Sequence, residues 1–150
     1  MTTRAAIDAF LAQRSLAVVG VSRHPRKFGN VVYRELKAKG YHVFPVHPQA
    51  DTLEGDRCAS SLRALPEPVG GVVVVVPPAQ TEKVVREAAE AGIRQVWMQQ
   101  GAESEEAIRY CAEQGLSVVH GQCILMFAEP AAWFHRAHRW VRRVRGTLPR

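Results

Sequence analysis

The chain has 150 residues, 47% of them hydrophobic and 23% charged, values that fit one globular domain with a core of its own and argue against a disordered or fibrous chain. Its net charge is +6, but much of the excess is crowded into Arg136, Arg139, Arg142, Arg143, Arg145 and Arg150, so the body is closer to neutral. An even basic surface would argue for nucleic acid; this distribution predicts a single basic helix instead.

Three cysteines, Cys58, Cys111 and Cys123, are odd in number and far apart, with no spacing suited to zinc. Reduced thiols and an N-terminus without the apolar centre of a signal peptide predict a cytoplasmic protein, and no segment reaches membrane-spanning length.

In chain order, the first expected element is a helix from about Thr3 to Gln13, capped by Thr2 or Thr3, with Ile7, Phe10 and Leu11 on its inner face. Leu16 to Val19 reads as a strand buried on both faces, and Gly20 lets the backbone turn sharply at its end. A helix follows from Phe28 or Gly29 to Lys39, stopped by Gly40, with Phe28, Val31, Val32 and Leu36 recurring at helical spacing. Its N-terminus points back at the polar loop 20–27, where free N–H groups and the dipole favour an anion, and Ser22, Arg23, Lys27 and Arg26 add a hydroxyl and fixed positive charge. Ser22 is expected to cap that helix as well. The loop departs from the dinucleotide fingerprint G-x-G-x-x-G, because Ser22 and Pro25 stand at its second and third glycine positions.

The second strand, His42 to Val46, ends in His47-Pro48, where a nicotinamide-dinucleotide site would place an acid on the ribose. Residues 49–67 read as a loose crossing in which Ser60 or Ser61 caps a short turn, and Asp51, Glu54 and Asp56 read as a solvated face. The third strand is Val72 to Val76, stopped by Pro77-Pro78. A helix from about Gln80 to Ala91 follows, with Val84, Val85 and Ala88 inward. The fourth strand is Gln95 to Gln99, leading into Gln100-Gly101. Ser104 caps the next helix, which has Glu105 and Glu106 in its first turn and Ala107, Ile108, Cys111 and Ala112 inward. The fifth strand, Leu116 to His120, turns at Gly121-Gln122-Cys123 into an amphipathic helix at about 131–146 bearing Trp133, Phe134 and Trp140, which either packs on the sheet or builds a homodimer.

Strands alternating with helices at this spacing predict an α/β fold, a doubly wound parallel five-stranded sheet with helices on both faces. Right-handed crossovers place all the strand ends named above on one edge, where such sheets bind ligands.

Gly20-x-Ser22-x-x-Pro25-x-Lys27, Val46-His47-Pro48, Val75-Val76-Pro77-Pro78, Gln99-x-Gly101 and Gly121-x-Cys123, in this order, resemble the small stand-alone CoA-binding proteins of bacteria, which are similar to the CoA-binding domain of succinyl-CoA ligase α subunits. The resemblance covers about the whole chain as a single domain, 1–150. It implies a Rossmann-like fold that binds coenzyme A or an acyl-CoA, with the first loop on the pyrophosphate and the Pro-Pro turn beside the adenine. The candidate contacts are Gly20, Val21, Ser22, Arg23 and Lys27, then His47 and Pro48, Val76, Pro77 and Pro78, Gln99, Gly101 and Cys123.

Each candidate has a plainer reading beside it. Lys27 and Arg23 also suit a solvated helix start, Pro77-Pro78 a strand stop, His47 a surface loop, and Cys123 packing or a pantetheine contact as against a mixed disulfide with the CoA thiol. No catalytic triad, paired carboxylates or metal cluster falls on the expected strand ends, so a binding protein without catalysis of its own is expected, working with CoA and a possible separate catalytic partner. An NAD(P)-type sensor or oxidoreductase is the alternative, and nucleic-acid binding through the terminal arginines a second one.

Overall fold

The computed structural model describes residues 2–128; the expected helix at 131–146 lies outside them. Four helices, α1 (Arg4–Leu11), α2 (Phe28–Ala38), α3 (Pro78–Glu90) and α4 (Glu105–Glu113), alternate with strands β1 (Ser15–Val19), β2 (His42–Val46), β5 (Gly71–Val74), β6 (Gln95–Gln99) and β7 (Ser117–Gln122). A hairpin of β3 (Thr52–Leu53) and β4 (Asp56–Arg57) lies between β2 and β5. The five long strands form one parallel sheet in the order β2-β1-β5-β6-β7. This is the expected Rossmann-like α/β sheet. Chain direction across it reverses between β1 and β5, which opens a crevice at their C-terminal ends.

Side chains alternate across the sheet because successive Cβ atoms of a strand point to opposite faces. Leu16, Val18, Val73 and Trp97 pack with Ile7 and Phe10 of α1 and with Val32, Tyr33 and Leu36 of α2. Ala17, Val72, Val74, Val96 and Met98 pack on the other face with Val85 and Ala88 of α3 and Ala107 and Cys111 of α4. The run of valines therefore serves both layers, as a strand covered on both sides must.

The caps follow the sequence at α1, where the Thr3 side chain accepts from Ala6 N–H at 3.0 Å, and at α4, where Ser104 accepts from Ala107 N–H at 3.1 Å. Elsewhere tertiary contacts change the expected pattern. Phe28 is 47% exposed, because α2 turns its small residues Gly29 and Asn30 to the sheet and leaves Phe28 at the rim. Ala112 is exposed, since the buried stripe of α4 is narrow. The third strand ends at Val74, and the fifth runs on to Gln122 rather than stopping at His120.

The crossing is more ordered than its sequence suggests. Glu54 (φ 53°) and Gly55 (φ 80°) form the tight turn of the hairpin. A short 3-10 turn at Leu62–Ala64 takes no side-chain cap from Ser61. Instead the Glu87 carboxylate of α3 accepts from Leu62 N–H at 2.5 Å.

Candidate functional site

The site begins with two glycines that bring α2 close to β1. Gly20, directly after β1, has φ +127°, and a Cβ there would lie 2.1 Å from the Val75 carbonyl oxygen. Gly29 in the first turn of α2 faces it, and a Cβ on Gly29 would lie 2.1 Å from the Gly20 carbonyl oxygen. A side chain at either position would push backbone against backbone. Gly29 thus does the work of the third fingerprint glycine, close packing of helix on strand, from a position shifted by the longer loop. The sequence reading missed it by looking for it at Pro25.

Close approach aims the start of α2 into the crevice. Lys27 occupies its N-cap position with no side-chain hydrogen bond to the helix. Asn30 and Val31 N–H groups both donate to the Lys27 carbonyl, whereas the first-turn N–H groups of Phe28 and Gly29 have no carbonyl of their own helix to reach. Lys27, Arg23 and Arg26 are exposed and in no ion pair among the described residues. Unclaimed donors, a positive dipole end and unpaired cations, of which Lys27 lines the cleft, make this terminus a candidate anion site.

Ser22 does not cap α2, contrary to expectation. Its hydroxyl accepts from His24 N–H at 3.0 Å and donates within the loop, and its own N–H donates to the Asn30 side-chain oxygen at 2.9 Å. The serine staples the loop.

The remaining walls come from the other strand ends. His47 Nδ1 accepts from the N–H groups of Gln49 and Ala50, both at 3.0 Å, which orients the ring and leaves its proton on Nε2. After β5, Val76 and Pro77 contribute apolar surface, and Pro77 and Pro78 begin α3 without backbone N–H donors. Gln99, buried at the end of β6, donates to Cys123 Sγ at 2.9 Å and accepts from Ile124 N–H at 3.0 Å, so it pins the turn after β7. The buried Thr81 hydroxyl donates to the Ala102 carbonyl at 2.5 Å and ties α3 to the loop after β6.

These parts enclose a cleft of about 590 Å³, within the range of small-molecule and cofactor sites. Of the expected contacts, the structure brings together Gly20, Val21, Ser22, Lys27, His47 and Pro48 with Val76, Pro77, Gln99 and Gly101. Arg23, Pro78 and Cys123 do not line it. Arg23 and Pro78 are exposed, Pro78 as the first residue of α3, and Cys123 is engaged by Gln99. Phe28, Gly29, Gln80 and Ala102 line the cleft unannounced by the sequence, beside Val75 and Gln100 of the expected strand ends. Exposed Phe28 is an aromatic wall at its mouth.

The acidic residues after β2 are not the solvated face their sequence suggests, Asp51 excepted. Asp56 accepts from the Tyr33 hydroxyl at 2.5 Å and from Lys37 at 2.6 Å. Burial works against the Asp56 carboxylate, but those two hydrogen bonds outweigh it and hold the group below its ordinary range. Burial, reinforced by Asp56, pushes the Tyr33 phenol far above its ordinary value, so it stays a donor. Burial alone raises the Cys111 thiol to about 11, which leaves it an inert packing group. Among the described residues no group of His, Cys, Asp and Glu could hold a metal ion, and no helix is long and apolar enough to cross a membrane.

Known proteins with this architecture point one way. The protein YneT of Bacillus subtilis, itself uncharacterized, is 34% identical over 116 residues, covering 76% of this chain and 86% of its own. The α subunit of acetate–CoA ligase (ADP-forming) II from Pyrococcus furiosus is 26% identical over 129 residues, 79% of this chain but 28% of the subunit, so this chain matches only a part of the ligase. A solved conserved hypothetical protein from Pyrococcus furiosus superimposes with a TM-score of 0.71 at 44% identity, over 75% of this chain and 97% of that one. An acetyl-coenzyme A synthetase from Ca. Korarchaeum cryptofilum gives 0.67 at 28% identity, over 75% of this chain and 27% of that one. With the family model of the CoA binding domain matching residues 14–129, the chain belongs to the CoA-binding domain family.

Proposed function

We propose that the protein binds coenzyme A or an acyl-CoA in this cleft, through its phosphates first, without catalysis of its own. The single observation that carries the reading is the uncapped N-terminus of α2, flanked by unpaired Lys27 and set at the sheet's crevice by Gly20 and Gly29. A pyrophosphate fits that terminus, where two first-turn N–H groups and a lysine converge. The adenine fits the apolar strip of Val76 and Pro77, where prolines remove donors that a phosphate would require and leave a rigid surface. Ligase relatives bearing this domain as a fraction of their length support a role in which chemistry is done by a separate partner. Three free thiols suit a reducing cytoplasm.

Titration calorimetry with CoA and pantetheine tests the reading. Binding of CoA that exceeds pantetheine by tenfold or more supports phosphate anchoring at α2. Equal affinity for the two removes the loop as the anchor, and absence of CoA binding overturns the function. Native mass spectrometry of the purified protein adds a direct readout, since a retained nucleotide or acyl-CoA is weighed as it stands.

A further inference from the structure

Both ends of the loop that faces the cleft are tied to one carboxylate oxygen outside it. Glu54, at the tip of the β3–β4 hairpin, accepts through Oε2 from Asn30 Nδ2 at 2.9 Å and from Arg34 Nη1 at 2.7 Å. Asn30 is 1% exposed and passes the restraint on. Its amide nitrogen also donates to the Ser22 carbonyl at 2.8 Å, and its oxygen accepts from Ser22 N–H at 2.9 Å. Arg34 in turn donates to the Pro25 carbonyl at 3.0 Å.

We propose that Glu54 is the positioning residue of the anion-binding loop, holding its start through Asn30 and Ser22 and its far end through Arg34 and Pro25. The Asn30 amide has only one orientation compatible with these three groups. Turned over, it would set its NH2 against the Ser22 N–H and its oxygen against both the Ser22 carbonyl and the Glu54 carboxylate. Glu54 therefore reinforces the orientation that the two Ser22 backbone groups require, and so helps to keep Ser22 in place. The hairpin is fixed independently two residues on, where Asp56 takes Tyr33 and Lys37 of α2. One hairpin thus carries two sets of ties to α2, of which only the Glu54 set reaches the loop. A preformed loop meets the ligand without first having to be ordered, which is where affinity is gained. The ligand class rests on the functional reading above; the clamp on the loop does not.

The test compares Glu54→Ala with Tyr33→Phe, which loosens the same hairpin away from the loop. Glu54→Ala should weaken CoA about five- to tenfold, the scale of lost hydrogen bonds to a positioned group, while leaving pantetheine unchanged. Tyr33→Phe should lower the melting temperature and leave the ratio of CoA to pantetheine affinity as in wild type. Amide hydrogen exchange supplies a readout without ligand: Ser22 N–H should exchange at least about tenfold faster in Glu54→Ala, with Ala17 and Val18 of β1 unchanged. Exchange of Ser22 at the wild-type rate overturns the clamp, as does a preserved preference for CoA over pantetheine. A wild-type chain that fails to bind CoA overturns the functional reading instead, and the exchange comparison still decides the clamp.

Discussion

The N-termini of α2 and α4 open onto the same edge of one sheet, and their backbones carry the same positive dipole, yet they are built for opposite purposes. At α4 the Ser104 hydroxyl accepts from Ala107 N–H, Glu105 and Glu106 fill the first turn, and the neighbouring Glu103 carboxylate takes the N–H groups of Gly101 and Gly121. One of its first-turn donors is capped by a side chain, and its first turn carries negative charge. At α2 the N-cap is a lysine that caps nothing, the first turn has no acid, and a glycine admits close approach. The α4 terminus is stabilised by its own side chains; the α2 terminus has no side-chain cap and opens onto the cleft. A helix dipole alone therefore does not make an anion site: the cap and the sign of the flanking charge decide it.

Gly29→Ala breaks the comparison most severely. Its Cβ would collide with the Gly20 carbonyl, so α2 must back away from β1, costing about 3 kcal/mol of stability as read by urea unfolding, together with the CoA site. Replacing Lys27 by Ala removes the cation and keeps the helix, and should weaken CoA by about 1.5–3 kcal/mol in calorimetry without affecting pantetheine.

NAD and NADP should bind at least about tenfold more weakly than CoA, a difference of about 1.4 kcal/mol, since His47-Pro48 closes β2 where an acid would hold the ribose. A competition titration decides it, and displacement of CoA by NADH at comparable concentration would contradict this account of the crevice.

Giving α2 the cap of α4 sharpens the contrast in a single variant. Lys27→Ser should stabilise the protein by about 0.5–1 kcal/mol, because Lys27 already has the extended backbone of an N-cap, while CoA affinity falls. The reciprocal Ser104→Ala should cost about 1 kcal/mol and leave CoA affinity untouched. Thermal unfolding and calorimetry on both variants give the two signs. The smallest effect concerns acid stability. The Asp56 carboxylate lies below its ordinary range in the folded protein, so its contribution is present above about pH 4 and is lost as pH falls through the lower folded value. Asp56→Asn should flatten that limb of the stability curve.

Much of this was legible before the structure. Valine runs and alternating helical stripes specify a sheet covered on both faces, and Ser104 with its two glutamates announces α4, because these signals act between residues close in the chain. The loop's polarity likewise marks the candidate anion site. The acids after β2 carry no such local mark. Glu54 looks solvated until the hairpin folds back on α2 and brings it to Asn30 and Arg34, 24 and 20 residues away.

By itself, then, the sequence determined the order of elements, the two-sided burial of the sheet and which strand ends would meet at one edge. The tertiary structure decided which terminus stays open, that Gly29 rather than position 25 carries the close contact, that Cys123 and Arg23 stand outside the cleft, and that one exposed-looking carboxylate holds the loop. Helix and strand signals come from periodicities of a few residues, whereas the fit of a loop depends on groups far apart in the chain, whose meeting is set by packing.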